Sequence, residues 1–155
     1  MKKRFTLKKT IILIFIILLF IQSFRIDKSI KAIDPSKDLI SLTAPSIEVT
    51  QLLKSSCYDC HSNQPNYPWY TNIAPISWWI KHHIDEGSHH LNFSLWGNYD
   101  VKKSHHKLDE CIELLENKEM PLTSYTWIHK EAKLTDAQRL LLVEWFKGLK
   151  EIPTQ

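Results

Sequence analysis

The sequence predicts an all-α fold, a bundle of about four short helices preceded by an N-terminal membrane anchor helix. Four segments after residue 45 carry apolar residues at the three- and four-residue spacing of helices. No run alternates between apolar and polar residues for long enough to indicate a strand. Only three glycines occur among 155 residues, which are too few for a turn-dense all-β fold or a glycine-rich phosphate loop.

The N-terminus combines a basic flank with an apolar run. Five cationic residues lie within the first nine positions, and residues 11–21 are all apolar. This order is typical of an export or insertion signal whose basic end stays in the cytoplasm. Eleven helical residues cover only about 16 Å, but extension to Phe24, with Lys8 and Lys9 snorkelling, allows a short span. Because no small-x-small cleavage site follows, we expect residues 1–24 to be an uncleaved single-pass anchor in the cytoplasmic membrane.

The chain after this segment is weakly acidic. The whole sequence has 20 basic and 17 acidic residues, and five of the basic ones precede the apolar run. The remainder therefore has 15 basic against 17 acidic residues and a net charge of −2, which argues against a nucleic-acid partner. We interpret residues 25–45 as a tether and residues 46–150 as one domain on the periplasmic, extracytoplasmic side.

Capping residues predict the limits of the first two domain helices. Ser46 is a suitable N-cap for the first helix, which leads directly into Cys57. The second helix is predicted over residues 75–86, with Pro75 in its first turn and Gly87 as its stop. Its apolar stripe includes Trp79, Ile80 and Ile84, and His83 lies on the same face.

Two further helices complete the predicted bundle. The third is expected over residues 104–117, and Cys111 lies on its apolar stripe, where we interpret it as a buried free thiol. The fourth begins at a capping box formed by Thr135 and Gln138 and ends near Gly148.

The sequence Cys57-Tyr-Asp-Cys60-His61 has the C-x-x-C-H pattern of haem c attachment. Two thiols three positions apart on a helical turn can add to the two vinyl groups of one porphyrin. The adjacent imidazole can then bind the iron. We therefore expect one covalent haem c, with Cys57 and Cys60 as attachment residues and His61 as the proximal ligand. No catalytic residue is assigned.

Other chemistries use the same cysteine spacing. A redox dithiol usually follows a strand in a βαβ unit, and no strand is predicted here. A zinc site needs two more ligands in a compact cluster, and a second C-x-x-C is missing. A non-haem metal module remains an alternative, because three pairs of adjacent histidines could supply ligands: 82/83, 89/90 and 105/106.

The sixth iron ligand has one main candidate. Met120, the sole methionine besides the initiator, is followed by Pro121 in a predicted loop. A thioether ligand raises the reduction potential relative to bis-His ligation. His83 is the alternative distal ligand, since it shares a helix face with apolar residues, and His129 is a weaker one. A core-filling methionine is the competing interpretation of Met120.

With these residues identified, the chain resembles the small membrane-anchored haem-binding-domain proteins of bacterial envelopes, which are related to class I cytochromes c. The resemblance covers about residues 45 to 150 and implies a cytochrome c-like bundle around one covalent haem. It also implies His61 as the proximal ligand and Met120 as the distal one. The matching segments are Cys57-Tyr-Asp-Cys-His-Ser-Asn, Tyr67-Pro-Trp-Tyr, Ile73-Ala-Pro-Ile-Ser-Trp-Trp, His90-Leu-Asn-Phe-Ser and Glu119-Met-Pro-Leu-Thr-Ser-Tyr.

These observations favour an extracytoplasmic electron-transfer cytochrome whose partners are other redox proteins at the membrane. Such a carrier makes and breaks no substrate bonds, so we do not expect an enzyme. The alternative is a haem-based sensor or small peroxidase-like enzyme, which requires an open or displaceable sixth position on the iron.

Overall fold

The structure is a computed structural model that describes residues 2–151, with side chains described from residue 6 onward. This part of the chain is helical and contains no strand, which confirms the predicted all-α class. Three short 3-10 helices, Trp69–Asn72, Phe93–Asn98 and Lys130–Ala132, lie in its connections. Its α-helices are α1 (Lys2–Ile21), α2 (Leu39–Thr43), α3 (Ile47–Ser56), α4 (Tyr58–His61), α5 (Ile76–His90), α6 (Val101–Glu116), α7 (Thr123–Thr126) and α8 (Asp136–Glu151).

Helix α1 contains the basic flank and the apolar run. From Leu7 to Phe20 its large apolar side chains are exposed on all sides, from 44% for Leu18 to 64% for Phe20. Directly after the helix, the side-chain amide of Gln22 contacts the backbone of Ala74, just before α5. Within residues 2–151, no helix combines the length and the apolar composition that a membrane crossing requires.

The hydrophobic core lies between α3, α6 and α8. Leu53 of α3, Leu108 of α6 and Leu142 of α8 are almost completely buried there. Each buried leucine contributes roughly 1.5–3 kcal/mol relative to an exposed one. Helix α8 packs along α6 and also touches α3, and α3 continues into α4. The core therefore fixes the position of α4, the turn that carries the C-x-x-C-H sequence.

Two predicted helix starts are confirmed by their hydrogen bonds. The hydroxyl of Ser46 accepts from the amide of Val49 at 3.3 Å, which caps α3. At the start of α8, Thr135 Oγ1 accepts from the Gln138 amide at 3.2 Å. The Gln138 side-chain oxygen in turn accepts from the Thr135 amide at 2.9 Å, as a capping box requires.

The predicted end of α5 at Gly87 is wrong. The helix begins at Ile76 and continues to His90, with Gly87 inside it. The glycine is needed for close packing rather than for termination, because a Cβ at this position would lie only 2.8 Å from the carbonyl oxygen of Cys60. Helix α5 and the α4 turn therefore approach each other more closely than any side chain at position 87 allows.

The other predicted limits shift by a few residues. Helix α6 starts at Val101 rather than at Ser104, because the Asp100 carboxylate caps it by accepting from the Lys103 amide at 2.7 Å. Helix α8 runs past Gly148 to Glu151. The four predicted helices correspond to α3, α5, α6 and α8. The estimate of about four omitted the one-turn helices α2, α4 and α7.

The stretch 25–45, interpreted as a tether, contributes to the domain itself. Leu39 of α2 is completely buried in the core. The Asp38 carboxylate caps α2 and accepts from the Tyr58 hydroxyl at 3.2 Å. The amide of Gly97 donates to the Lys37 carbonyl at 2.9 Å. The folded domain thus begins before residue 46, because α2 packs against the Phe93–Asn98 turn.

We predict that Leu39→Ala lowers the free energy of unfolding by about 2–5 kcal/mol, because it removes a fully buried side chain. Leu42→Ala is the matched control on the same helix, where the leucine is 49% exposed, and it should cost much less. Urea denaturation followed by circular dichroism measures both. Equal costs for the two variants would show that α2 is not part of the core.

Candidate haem-binding site

The C-x-x-C-H residues lie on a single helical turn directly after α3. The amide of Cys57 donates to the Leu53 carbonyl at 2.9 Å, and the amide of His61 donates to the Cys57 carbonyl at 2.9 Å. Both Cys57 and Cys60 are free thiols. The turn thus presents two sulfur atoms and one imidazole from positions 57, 60 and 61, directly after the buried end of α3.

One nitrogen of the His61 ring is fixed by α5. Nδ1 lies 3.0 Å from the carbonyl oxygen of Gly87 and 3.2 Å from that of Leu91. Carbonyl oxygens only accept, so Nδ1 carries the proton and donates it. In the neutral ring the lone pair is then on Nε2. Burial lowers the pKa of His61, which favours this neutral form.

This arrangement is typical of metal-binding histidines, whose second nitrogen donates to a carbonyl or carboxylate. The hydrogen bond fixes both the tautomer and the rotation of the ring. It exists because Gly87 lets α5 approach the α4 turn closely. The ring edge also meets Phe93, with the ring centres 6.2 Å apart. The packing role of Gly87 was not predicted, because a glycine after an apolar stripe indicates a helix stop.

A cleft opens beside the α4 turn, between α5 and the segment around α7. Its cavity volume is about 80 Å³, within about 630 Å³ of empty space that includes the part open to solvent. Cys60 lines it, whereas Cys57 packs against the core. Most of the lining is apolar or aromatic: Pro68, Tyr70, Ile76, Trp79, Ile80, Ile84, Leu122, Tyr125 and Ile128. An apolar and aromatic lining with a few polar groups is typical of small-molecule and cofactor sites.

The thiols of Cys57 and Cys60 both lie in buried surroundings. Burial raises the pKa of Cys57 to about 12 and that of Cys60 to about 11, so both are neutral thiols at physiological pH. Cys57 also lies near Cys111 of α6, whose own thiol is free and whose pKa is raised by burial. Cys111, interpreted from the sequence as a buried free thiol, is free and packs against the core but is only partly buried.

A polar network forms one wall of the cleft. The hydroxyl of Tyr125 donates to the Asp59 carboxylate at 2.7 Å, and its ring stacks on His129 with centres 4.3 Å apart. The Glu131 carboxylate lies 3.3 Å from Nδ1 of His129 and can only accept, so Nδ1 carries the proton. His129 Nε2 then accepts from the Tyr70 hydroxyl at 2.5 Å. Burial raises the pKa of Tyr125, which keeps its phenol a donor.

Only part of this network could be predicted from the sequence. Asp59 lies inside the C-x-x-C-H pattern, and Tyr125 precedes His129 by one helical turn. Asp59 and Tyr125 can be located in the sequence, but their proximity to Tyr70 depends on tertiary packing. His129, predicted as a weaker distal candidate, lies in the cleft wall with both ring nitrogens hydrogen-bonded.

The two main distal candidates differ in position. His83 lines the cleft and donates from Nδ1 to the Trp79 carbonyl at 2.8 Å, so its Nε2 holds the lone pair. Met120 lies in the loop between α6 and α7, where its carbonyl accepts from Arg139. Its side chain is partly buried but does not line the cleft, whereas Leu122, two residues later, does.

The comparisons with known proteins identify the family. The family model of the haem-binding domain matches residues 16–148, which is most of the chain. The chain belongs to the haem-binding domain family. No curated protein and no solved structure shows significant similarity to it.

The residues of this haem-binding domain fit the cofactor that its family implies. Two unpaired thiols and one imidazole with a free Nε2 lone pair lie on one turn, and the adjacent cleft is mainly apolar. Haem iron accepts imidazole nitrogen, and the porphyrin needs apolar surroundings. Within residues 2–151, no group of three or more His, Cys, Asp or Glu side chains is arranged to hold a separate metal ion. The paired histidines therefore form no such group there.

We predict that Gly87→Ala disturbs the haem-binding domain, because its Cβ would meet the Cys60 carbonyl and push α5 away from His61. The expected cost is about 1–3 kcal/mol of unfolding free energy, together with reduced haem incorporation. Urea denaturation and the ratio of haem to protein absorbance measure the two effects.

Gly148→Ala is the matched control, since it is also a glycine inside a helix and no atom lies within 4 Å of the added Cβ. It should stabilise the protein by about 0.5–1 kcal/mol through helix propensity alone. A Gly87→Ala variant that behaves like this control would contradict the close approach of α5 to α4.

Proposed function

We propose that this haem-binding protein is an extracytoplasmic c-type cytochrome that holds one covalent haem and transfers electrons. The observation that carries the proposal is the pair of hydrogen bonds from His61 Nδ1 to Gly87 and Leu91, beside two free thiols on the same turn. When bound, haem supplies reversible one-electron oxidation and reduction of its iron. The protein supplies attachment, ligation and an apolar surrounding.

The two cysteines would make the attachment. Each thiol of Cys57 and Cys60 would add across one vinyl double bond, with the sulfur bonding to one carbon and the thiol hydrogen going to the other. The addition needs neither an oxidant nor a reductant. His61 would supply Nε2 to one side of the iron, with its ring held by the two carbonyls.

Met120 is the proposed ligand on the other side. Its loop continues into Leu122, which lines the cleft, and Arg139 holds the loop by donating to the Met120 carbonyl. A thioether in this position favours the reduced iron and suits an electron carrier. If His61 and Met120 both hold the iron, no position on it would be left for a substrate, and the proposed partners are redox proteins at the membrane.

Membrane attachment through α1 is part of the proposal. The apolar side chains of this helix are exposed on all sides, and a basic flank precedes them. A flank of this kind stays on the cytoplasmic side, which leaves the haem domain on the opposite, extracytoplasmic side. Covalent haem attachment takes place outside the cytoplasm, so the two inferences agree. The short run can span when Lys8 and Lys9 extend toward the headgroups.

A second candidate function is a haem-based sensor or small peroxidase-like enzyme. The observation that favours it is the cleft lining, which includes His83, His129 and Tyr70 but not Met120. Polar groups beside an open iron position are what ligand sensing or peroxide chemistry requires. The two candidates differ in one respect, namely whether the sixth iron position is closed by the protein.

We predict that the haem cannot be extracted from the wild-type protein by acidified organic solvent, because two thioether bonds hold it. The double variant Cys57→Ala/Cys60→Ala should lose its haem completely under the same treatment. Cys111→Ala is the matched control and should retain it, since Cys111 lies on α6 and is not part of the C-x-x-C-H turn. Mass spectrometry of the denatured chain, before and after extraction, measures the attached haem. Extraction of haem from the wild type would contradict covalent attachment.

We predict that the reduced wild-type protein forms no carbon monoxide complex at neutral pH, because Met120 closes the iron. Met120→Ala should open the position and allow the complex to form, and the oxidised variant should lose the weak near-infrared band of methionine-ligated iron. His83→Ala is the control and should leave both spectra unchanged. Binding of carbon monoxide by the wild type, or loss of ligation in His83→Ala alone, would favour the sensor or peroxidase candidate.

A further inference from the structure

The segment that leaves α1 is fastened to the haem domain. The side-chain amide of Gln22 pairs with both backbone groups of Ala74. Its Nε2 donates to the Ala74 carbonyl at 2.9 Å, and its Oε1 accepts from the Ala74 amide at 3.0 Å. The side-chain amide thus makes the same pair of hydrogen bonds with Ala74 that a residue on a neighbouring β-strand would make. This pair joins the residue directly after the apolar helix to the loop before α5.

Three more hydrogen bonds extend the junction along residues 24–28. Arg25 donates to the Asn72 carbonyl at 2.7 Å, and Lys28 donates to the Asn72 side-chain oxygen at 2.7 Å. The indole of Trp78 donates to the Phe24 carbonyl at 2.9 Å. Hydrogen bonds to charged groups are stronger than neutral ones, and two of these three involve a cation. The domain is therefore held at a fixed position relative to the end of α1.

Large apolar side chains are exposed around this junction. We call them the junction patch: Phe24 (55% exposed), Trp69 (74%), Ile73 (41%) and Trp78 (39%). None of them lines the haem cleft, so a bound haem would not cover them. Three are aromatic, and the cations of Arg25 and Lys28 lie beside them.

We infer that the junction patch rests in the interfacial zone of the bilayer that α1 enters, so that the haem domain lies directly on the membrane surface. This inference rests on the membrane attachment proposed above. The apolar run ends at Ile21, and Gln22 is bonded to Ala74, so this loop lies at the depth where the helix leaves the hydrocarbon. Tryptophan is enriched in that zone because one end of its ring is apolar and the other carries a donor.

The charges beside the junction patch fit the same occupant. Arg25 and Lys28 follow Phe24 directly after α1, and each side chain has further N–H groups besides the one that donates to Asn72. Lipid phosphates at the membrane surface are matched by such cations. A protein partner or a second copy of this chain would instead require a complementary surface, and the chemistry of the patch, aromatic side chains rimmed by cations, is that of amphipathic membrane-surface segments.

The test is photolabelling of the complete haem-loaded protein in vesicles of phosphatidylcholine and phosphatidylglycerol. A small fraction of the lipid carries a diazirine close to the glycerol backbone. Mass spectrometry of peptides after illumination then locates the adducts. We expect adducts on the apolar run of α1 and on the junction patch. Labelling of the patch should be several-fold higher than that of Leu140, an exposed leucine on α8, which packs against α3 and α6.

The possible results distinguish failure of the inference about the junction patch from failure of the proposed membrane attachment. Absence of adducts on α1 would overturn membrane attachment and the inference with it. Adducts on α1, with the junction patch labelled no more than Leu140, would overturn the inference alone. A patch that escapes the lipid probe and is also protected from a water-soluble carbene is covered by protein, which would likewise overturn it.

The double variant Gln22→Ala/Arg25→Ala tests whether the junction positions the patch. Labelling of Trp69, Ile73 and Trp78 should fall to the level of Leu140, while labelling of the α1 run stays unchanged. An unchanged haem absorbance spectrum serves as the folding control, because neither substitution touches the haem cleft. Undiminished patch labelling in this variant would overturn the positioning role of the hydrogen bonds.

Discussion

The hydrogen bonds from His61 Nδ1 to α5 determine how the rest of the site is arranged. They join the α4 turn to a helix that starts fifteen residues later, and they set which ring nitrogen is free for a metal. The core formed by α3, α6 and α8 supports the α4 turn, while Gly87 allows α5 to come close to that turn. The cleft beside Cys60 follows from this contact, because α5 forms one of its walls.

The features that could be predicted from the sequence are local ones. The Thr135 and Gln138 capping box, the Ser46 cap and the C-x-x-C-H turn each lie within a few residues, so short-range chemistry determines them. The all-α class followed from apolar periodicity for the same reason. A local rule also explains why α6 starts at Val101, earlier than predicted, since Asp100 is a good N-cap residue.

The features that could not be predicted depend on contacts between distant segments. A glycine after an apolar stripe normally indicates a helix end, but at position 87 the absence of a side chain serves packing against Cys60. Residues 25–45 have the composition of a tether, yet Leu39 is buried against the Phe93–Asn98 turn. The meeting of Tyr125, His129 and Tyr70 likewise requires the fold, because each side chain alone is ordinary for its position.

The contact at Gly87 adds a second sequence requirement to the C-x-x-C-H pattern. Two separate demands apply to one position, since its carbonyl must accept from the imidazole and its Cα must meet the cysteine turn without a side chain. The C-x-x-C-H pattern alone therefore does not determine the position of the imidazole. That position also requires a glycine in the middle of a helix, 26 residues after the histidine. The orientation of the imidazole is thus encoded in two separate segments of this chain, the cysteine turn and α5.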